Sequence, residues 1–115
     1  MKFSESLKKN KDFQNVYRNG KSCANRNLVM YVMENGKSEN RLGISVSKKV
    51  GNSVVRHRTT RLIRESYRLN QDNLKTGYDM VVIARQTAKG KDCHTIESAF
   101  LHLVDLHHLR RVEHN

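Results

Sequence analysis

The chain has 115 residues, with 22 Lys and Arg against 11 Asp and Glu, and a formal net charge of +11. This length predicts one domain with a modest core and excludes two domains of ordinary size. The charge favours an anionic polymer as partner. A membrane surface is the poorer match, because the basic helix described below has no Trp or Phe on its apolar side.

The charge is unevenly distributed along the chain. Residues 1–68 contain 16 Lys and Arg against 5 Asp and Glu, whereas residues 69–115 contain 6 of each. No segment has the apolar length of a membrane span, and MKFSESLKKN lacks the apolar core of a signal peptide. Cys23 and Cys93 form no CxxC pair, which favours reduced thiols and the cytoplasm.

The first predicted element is a short helix over residues 11–19, with Asn10 as its N-cap. Phe13, Val16 and Tyr17 share one face at i, i+3, i+4. By spacing alone, such an apolar face is more often part of a core than a binding site.

Strands follow. Residues 21–26 predict a weak strand, and Leu28 to Met33 a stronger one before the Asn35-Gly36 turn signal. Residues 41–47 predict another strand, in which apolar residues alternate with small ones. The small residues leave room for something to lie against that face of the sheet; they are Gly43, Ser45 and Ser47.

A long helix is predicted after Gly51, with Asn52 or Ser53 as N-cap. Its expected apolar face consists of Val55, Leu62, Ile63, Tyr67 and Leu69. Another face carries a basic stripe at i, i+4, i+7, i+11, formed by His57, Arg61, Arg64 and Arg68, with Arg58 on its flank.

The basic stripe is unfavourable for the isolated helix. Like charges three or four residues apart repel by roughly 0.2–0.5 kcal/mol per pair, and Glu65 is the helix's only acid. Lys48, Lys49 and Arg56 place more cations where they oppose the helix dipole. A solvated basic face is the ordinary alternative, but a polyanionic partner explains this pattern better.

Residues 78–84, YDMVVIA, predict the most apolar and therefore central strand. Asp92 is the expected N-cap of a last helix reaching about Arg111, with a core face of Ile96, Ala99, Phe100, Leu103 and Leu106. The predicted order is α-β-β-β-α-β-α, an α+β fold in which helices pack on a mixed sheet.

The sequence offers little for catalysis by the protein itself. Its acids are scattered without a DxD or ExK pair, and no glycine-rich phosphate loop is present. His102, His107 and His108 fall on different faces of the last helix, so their spacing does not favour a metal site. We expect no catalytic residue and no dedicated metal ligand in this chain.

Residues 41–65, RLGISVSKKVGNSVVRHRTTRLIRE, closely resemble the signature of the bacterial ribonuclease P protein subunit. Residues 7–17, 22–26 and 78–88 also resemble that family, in the expected order. The resemblance covers nearly all of the chain up to about residue 90. The predicted C-terminal helix matches the family in character more than in sequence.

The resemblance implies a single RNA-binding domain over residues 1–115, with a fold like that of a ribosomal protein. It also implies an unusual left-handed βαβ crossover through the arginine-rich helix, where general rules favour the right-handed form. In that family the catalytic subunit is an RNA, with which the protein assists magnesium-dependent removal of the 5′ leader from precursor tRNA. Magnesium would be held mainly by RNA, and no obligatory protein partner or membrane is implied.

Site residues follow by position in the motif. The arginine-rich helix and basic turn would bind RNA through Lys48, Lys49, Asn52, Arg56, His57, Arg58, Arg61, Arg64 and Arg68. The 5′ leader would lie in an aromatic cleft of Phe13, Tyr17 and Tyr31, which moves the interpretation of these rings from core toward cleft floor.

Two positions depart from the family pattern. His57 stands where the family has Asn, and Thr60 where Lys is common. Three rival functions remain: a ribosomal-type RNA-binding protein without a cleft, a helix-turn-helix DNA-binding protein, and a stand-alone nuclease. The second would need a helix where residues 41–47 predict a strand, and the third would need catalytic residues that the sequence does not show.

Overall fold

The computed structural model describes residues 4–111 of the chain, and the side chains of residues 6–111. The three α-helices are α1 (Asn10–Asn19), α2 (Ser53–Asn70) and α3 (Cys93–Leu106). Short 3-10 turns occupy Gln71–Asn73 and Gln86–Ala88. The strands are β1 (Ser4–Ser6), β2 (Lys21–Ala24), β3 (Leu28–Glu34), β4 (Asn40–Ser45) and β5 (Tyr78–Ala84).

The five strands form one mixed sheet in the order β1-β4-β5-β3-β2. Strand β5 lies at its centre, as predicted from its apolar sequence, antiparallel to β3 and parallel to β4. Because β4 and β5 are parallel neighbours joined through α2, the predicted βαβ unit is present. Its left-handed sense stays a prediction from the family.

The two faces of the sheet are covered differently. One face, which we call the helix-pair face, packs against α2 and α3, and its core includes Met30, Met80 and Val82 at 0% exposure. On the other face, the α1 face, α1 is the only helix among the described residues, and it packs over a smaller cluster of Leu7, Val16 and Val81. The predicted mixed sheet with packed helices is therefore confirmed.

Helix α2 begins as predicted, with the Asn52 side chain accepting a hydrogen bond from the Val55 N–H at 3.0 Å. Its buried face, however, is rotated from the predicted one. Leu69 is 57% exposed, whereas Thr59 and Ser66 are buried. These two hydroxyls donate to the carbonyl oxygens of the residues four positions earlier, at 2.9 and 2.8 Å, which satisfies them inside the core.

The predicted N-cap of α1 is wrong, and one strand of the sheet has no counterpart in the prediction. Asn10 is not the N-cap of α1: Lys9 occupies that position, and its carbonyl accepts the first helical hydrogen bond, from the Asp12 N–H. Strand β1 was not predicted at all. It pairs in parallel with β4, from Ser4 opposite Asn40 to Ser6 opposite Leu42.

Helix α3 has the predicted cap, since the Asp92 carboxylate accepts a hydrogen bond from the Thr95 N–H at 2.8 Å. It ends at Leu106 and does not reach Arg111. His108 adopts a left-handed conformation (φ 57°), and the Leu109 N–H donates to the Val104 carbonyl, so the helix closes in a Schellman motif.

The chain after α3 then pairs with the segment after α2. The Lys75 N–H donates to the Leu109 carbonyl at 2.7 Å, and the Arg111 N–H donates to the Asn73 carbonyl at 2.8 Å. Leu106 consequently lies at the rim, 44% exposed, and is not part of the core as predicted. None of the described helices has the length and hydropathy needed to cross a lipid bilayer.

Candidate nucleic-acid interface

Helix α1 crosses only part of its face of the sheet. Its Phe13 ring lies against β4 at Gly43, where a Cβ atom would come within 2.8 Å of the ring. Its far end reaches β3 at Gly20, where a Cβ atom would lie 2.9 Å from the Val32 carbonyl oxygen. Gly43 therefore leaves room on this face as predicted, and Phe13 of α1 occupies that room, whereas Ser47 lies outside β4.

One row across the sheet lies beyond α1. In register it runs from Ala24 through Val29 and Ile83 to Ser45. The last three are half-buried and Ala24 is exposed, whereas Gly43 and Val81 in the neighbouring row are buried. This row, with an apolar centre and small residues at its ends, is therefore only partly covered, and we call it the groove of the α1 face.

The three predicted cleft aromatics meet at the side of this groove. The Tyr17 and Tyr31 rings are 5.0 Å apart in an edge-to-face arrangement, and the Phe13 and Tyr17 rings are 6.3 Å apart. All three rings are half-buried. They pack on the smaller cluster with one part and present another part to solvent, so the core and cleft interpretations both hold for them.

The hydroxyl of Tyr17 lies beside the Ser45 side chain, at one end of the groove. Burial raises the pKa of Tyr17, and the neighbouring Tyr31 raises it further, against a smaller opposite effect from the Ser45 side chain. Tyr17 therefore stays neutral at physiological pH. A neutral ring is better suited to stacking on a base next to phosphates than a phenolate would be.

An ion pair joins β4 and β5 on the other half of the α1 face. Arg41 on β4 donates to both oxygens of Asp79 on β5, at 2.8 and 2.6 Å, and Asn35 donates to the same carboxylate at 2.9 Å. Burial by itself raises the pKa of Asp79, but the hydrogen bonds from Arg41 and Asn35 outweigh it and hold that pKa below its ordinary value. Asp12 on α1 approaches Arg41 at 4.0 Å.

The predicted basic turn and α2 stripe lie on the surface. Lys48, Lys49 and His57 are exposed, as are Arg58, Arg61, Arg64 and Arg68. Two of the predicted RNA-binding side chains also have structural roles. The amide oxygen of Asn52 caps α2, and half-buried Arg56 donates to the Gly51 carbonyl at 3.0 Å.

The stripe is not uniformly unpaired. Arg68 binds both carboxylate oxygens of Glu65 through its Nε, at 3.0 Å each, and this bond holds the pKa of Glu65 below its ordinary value. Arg58 donates to the Lys91 carbonyl at 2.9 Å. Within the described residues, neither Arg61 nor Arg64 has an acidic partner within 4.0 Å. Of the arginines in the stripe, these two are the most available to a ligand.

The sheet gathers cations that the sequence keeps apart. The C-terminal ends of β4 and β5 and the β2–β3 turn all lie at one end of the sheet, because β3 is antiparallel to β5. We call this end, formed by residues 24–28, 46–58 and 84–95, the basic end. It carries a single acid, Asp92, against eight cations: Arg26, Lys48, Lys49, Arg56, Arg58, Arg85, Lys89 and Lys91.

Arg26 and the three cations of residues 85–91 were not predicted as site residues. The sequence signal was present, as three cations within seven residues directly after the central strand. This signal was not recognised because residues 69–115 as a whole contain equal numbers of cations and acids. Only the strand order brings this loop beside the basic turn, and the hydrogen bond from Arg58 to Lys91 joins the two.

No group of three or more His, Cys, Asp or Glu side chains among the described residues is arranged to hold a metal ion. Cys23 is half-buried and Cys93 exposed, and both are free thiols. His107 faces inward, with its Nε2 2.9 Å from the Met30 carbonyl oxygen. The described part of the chain thus presents binding chemistry: an aromatic groove beside a concentrated field of cations.

Comparison with known proteins identifies this arrangement. The family model described as Ribonuclease P matches residues 1–107. The ribonuclease P protein component of Lachnoclostridium phytofermentans is 64% identical over 104 residues, which cover 90% of each chain. Solved structures agree with the sequence comparison. The RNase P protein of Staphylococcus aureus is 39% identical with a TM-score of 0.85, covering 92% of this chain and 97% of that one.

The RNase P protein of Thermotoga maritima is 32% identical with a TM-score of 0.81, covering 96% of this chain and 99% of that one. A match of this extent in both sequence and fold leaves no room for the helix-turn-helix alternative, whose required helix is strand β4. The chain belongs to the ribonuclease P protein family.

Proposed function

We propose that the chain binds the ribonuclease P RNA through α2 and the basic end, and grips the 5′ leader of precursor tRNA in the groove of the α1 face. Family membership makes it the protein subunit of an endoribonuclease holoenzyme that processes tRNA 5′ ends. The finer assignment of surfaces to partners is our inference from the site.

One observation carries the leader assignment. The Tyr17 and Tyr31 rings, 5.0 Å apart, stand beside a partly open row of the sheet whose centre is apolar. Unpaired bases stack on exposed aromatic rings, whereas a duplex keeps its bases stacked on one another. The groove is therefore suited to single-stranded RNA such as a leader. The groove ends at the basic end, whose cations can contact leader phosphates as well as those of the ribonuclease P RNA, which fixes the strand without reading its sequence.

The α2 stripe suits a structured RNA. Arg61 and Arg64 are exposed one turn apart on a helix, so they can contact neighbouring phosphates, and a guanidinium can hold a phosphate through two hydrogen bonds. Magnesium is expected to be held mainly by the RNA subunit, which carries out the chemistry. The protein would then act in the cytoplasm, without a membrane and without an obligatory protein partner.

The test is cleavage and binding by the reconstituted holoenzyme. At low magnesium, a bacterial ribonuclease P RNA should cleave precursor tRNA faster with the protein than without it. Tyr17→Ala or Tyr31→Ala should weaken binding of precursor tRNA by about 1 kcal/mol or more per lost stack. Mature tRNA, which has no leader, should bind with unchanged affinity.

Phe13→Ala is the weaker variant, because its ring packs on Gly43 and its loss should also lower stability. Thermal melting of each variant separates the two effects. Equal losses for precursor and mature tRNA would assign the aromatics to packing alone. That outcome would favour the second candidate, a ribosomal-type RNA-binding protein that uses the arginine face without a leader cleft.

A further inference from the structure

Three large apolar side chains of the described residues are exposed to solvent. Val54 is 75% exposed, Leu69 57% and Leu106 44%. Single apolar residues are common on protein surfaces, so their exposure alone indicates no function. The surroundings of the three residues distinguish them.

The two leucines lie beside balanced charges. One follows Arg68, which binds Glu65, and the other follows Asp105, which binds Arg110. Val54 lies in the first turn of α2 and belongs to the basic end, whose sequence contains eight cations and one acid. The most exposed of the three apolar side chains therefore lies in the most cationic surroundings.

The fold itself gains little from Val54. The next residue, Val55, packs on the core of the helix-pair face and lies over Gly51, where a Cβ atom would come within 2.7 Å of it. Val54 belongs to neither core cluster of the described residues. A β-branched residue is also a poorer helix former than alanine. Val54 thus has a cost for the helix that burial within the protein does not offset.

Cations border Val54 on its own helix and beyond it. Residues three, four and seven positions later share its side of α2, and all of them are exposed: His57, Arg58 and Arg61. The Arg58 side chain reaches the Lys91 carbonyl at 2.9 Å, so this side of α2 borders the loop after β5. A ligand that covers Val54 must therefore also be compatible with several positive charges.

This combination selects the chemistry of the ligand. An apolar protein surface would cover Val54 but would also desolvate the cations around it without pairing them, which is costly. A lipid surface requires a wider apolar face than one valine provides. RNA provides phosphates for the cations, and its shallow minor groove exposes riboses and base edges, whose C–H groups suit an aliphatic side chain.

We propose that Val54 packs on the ribose and base edge of one nucleotide of the ribonuclease P RNA, while the cations beside it contact phosphates. This inference rests on the proposed function, because it takes α2 to bind that RNA. It adds a contact of a different kind to the arginine stripe. Val54 carries no charge, so its contribution to affinity does not depend on the release of counterions from RNA.

The test uses the full chain and a bacterial ribonuclease P RNA without tRNA, with affinity measured over a range of salt concentrations. Val54→Ala removes two methyl groups from the contact and should weaken binding about tenfold. The slope of log affinity against log salt should stay that of the wild type, because no phosphate contact is lost. Unchanged affinity, or a loss accompanied by a reduced slope, would overturn the proposal.

Val55→Ala is the matched control, since it makes the same substitution one position later. It should lower the melting temperature and leave the RNA affinity of the folded protein nearly unchanged, because Val55 packs on the core. Val54→Ala should do the reverse, with a melting temperature that is unchanged or higher. Equal losses of affinity in the two variants would assign the effect to a disturbed helix and overturn the proposal.

Val54→Thr is the second variant, because it keeps the branched shape and replaces one methyl group with a hydroxyl. It should also weaken binding, since apolar area is lost and a hydroxyl must be desolvated. Wild-type affinity in this variant would show that the contact is not apolar and would overturn the proposal.

Arg61→Ala separates a failure of this inference from a failure of the proposed function. If Arg61→Ala reduces the salt slope while Val54→Ala changes nothing, the apolar contact is wrong and the RNA-binding role of α2 stands. If neither variant changes RNA binding, both the apolar contact and the assignment of α2 to RNA are wrong.

Discussion

The two faces of the sheet are formed by the same strands but have different functions. On the helix-pair face, alternate residues of β3 and β5 are completely buried under two helices. On the α1 face, the intervening residues of the same strands meet a single ten-residue helix, and one whole row remains partly open. The comparison shows how a small protein can obtain both a core and a binding groove from one sheet.

The division has a physical basis. Burial of apolar area contributes about 25 cal/mol per Å², so a chain of this size needs most of its large side chains on one well-covered face. The α1 face is then left with the smaller cluster, supplemented by the ion pair of Arg41 and Asp79. Each prediction below perturbs one side of this division.

The largest effect is expected from Phe100→Ala. Phe100 is completely buried on the helix-pair face, edge-to-face with Tyr67 at 6.4 Å. Its truncation should lower the free energy of unfolding by about 3–5 kcal/mol, through lost burial and a cavity. The matched control is Leu69→Ala, whose side chain is 57% exposed and should cost less than about 1 kcal/mol. Urea denaturation measures both, and similar losses would contradict the assigned core.

Asp79→Asn should have the next largest effect, on the α1 face. It removes the charge that Arg41 pairs with, at a site where Asp79 is 1% exposed but the Arg41 side chain is 20% exposed. Because Arg41 keeps some access to water, we expect a loss of about 2 kcal/mol, below the 3–5 kcal/mol for a fully buried pair.

The same variant predicts a change in pH dependence. The folded-state pKa of Asp79 lies below its unfolded value of about 3.9, so its stabilising contribution is present above that pH and is lost as pH falls toward the folded-state pKa. The difference in unfolding free energy between wild type and variant should therefore shrink below about pH 4. A constant difference would assign the pair no role in acid stability.

Arg61→Ala and Arg64→Ala test the exposed side of α2, the helix whose other side covers the core of the helix-pair face. Both residues are exposed, so the melting temperature should not change. Each lost phosphate contact should reduce the slope of log affinity for RNA against log salt by roughly 0.7–0.9. Arg68→Ala is the matched control, with a smaller expected change because Glu65 already binds Arg68. An identical slope in all three variants would exclude Arg61 and Arg64 from the interface.

The smallest effect is expected at His107, on the helix-pair side. Burial lowers the pKa of His107, against the hydrogen bond to the Met30 carbonyl, and His108 and Lys21 lower it further. Since its folded-state pKa lies below the unfolded value of about 6.5, its stabilising contribution is complete above that pH and is lost as pH falls further. The His107→Gln variant keeps an N–H donor for the Met30 carbonyl but has no titrating group at this position. Its free energy of unfolding should therefore fall less than that of the wild type between pH 6.5 and 5.

The sequence predicted the elements whose signals are local. Residues 78–84 are mostly apolar, interrupted by Asp79, and the Asn52 and Asp92 caps required only a side chain three residues before a free N–H. It did not predict β1, because Ser4–Ser6 has no apolar alternation and its partner lies some 36 positions away at Asn40. Pairing over such distances is a property of the whole fold.

For the site residues, too, the sequence could not predict contacts that depend on distant parts of the chain. The three aromatics were predicted through the family resemblance, and their spacing alone had favoured the core. Arg85 and Lys89 were overlooked because only the strand order brings them beside the basic turn.

The short outer strands have a consequence for how the protein behaves before it meets RNA. Among the described residues, the sheet ends in β1 and β2, with three and four residues, whereas β3 and β5 have seven each. A long flat edge would offer unpaired N–H and C=O groups to another chain and invite strand addition. Edges this short, bordered by lysines at Lys8, Lys9 and Lys21, give a second copy little to pair with. The chain can therefore keep an aromatic groove open to solvent with little risk of aggregating through its sheet.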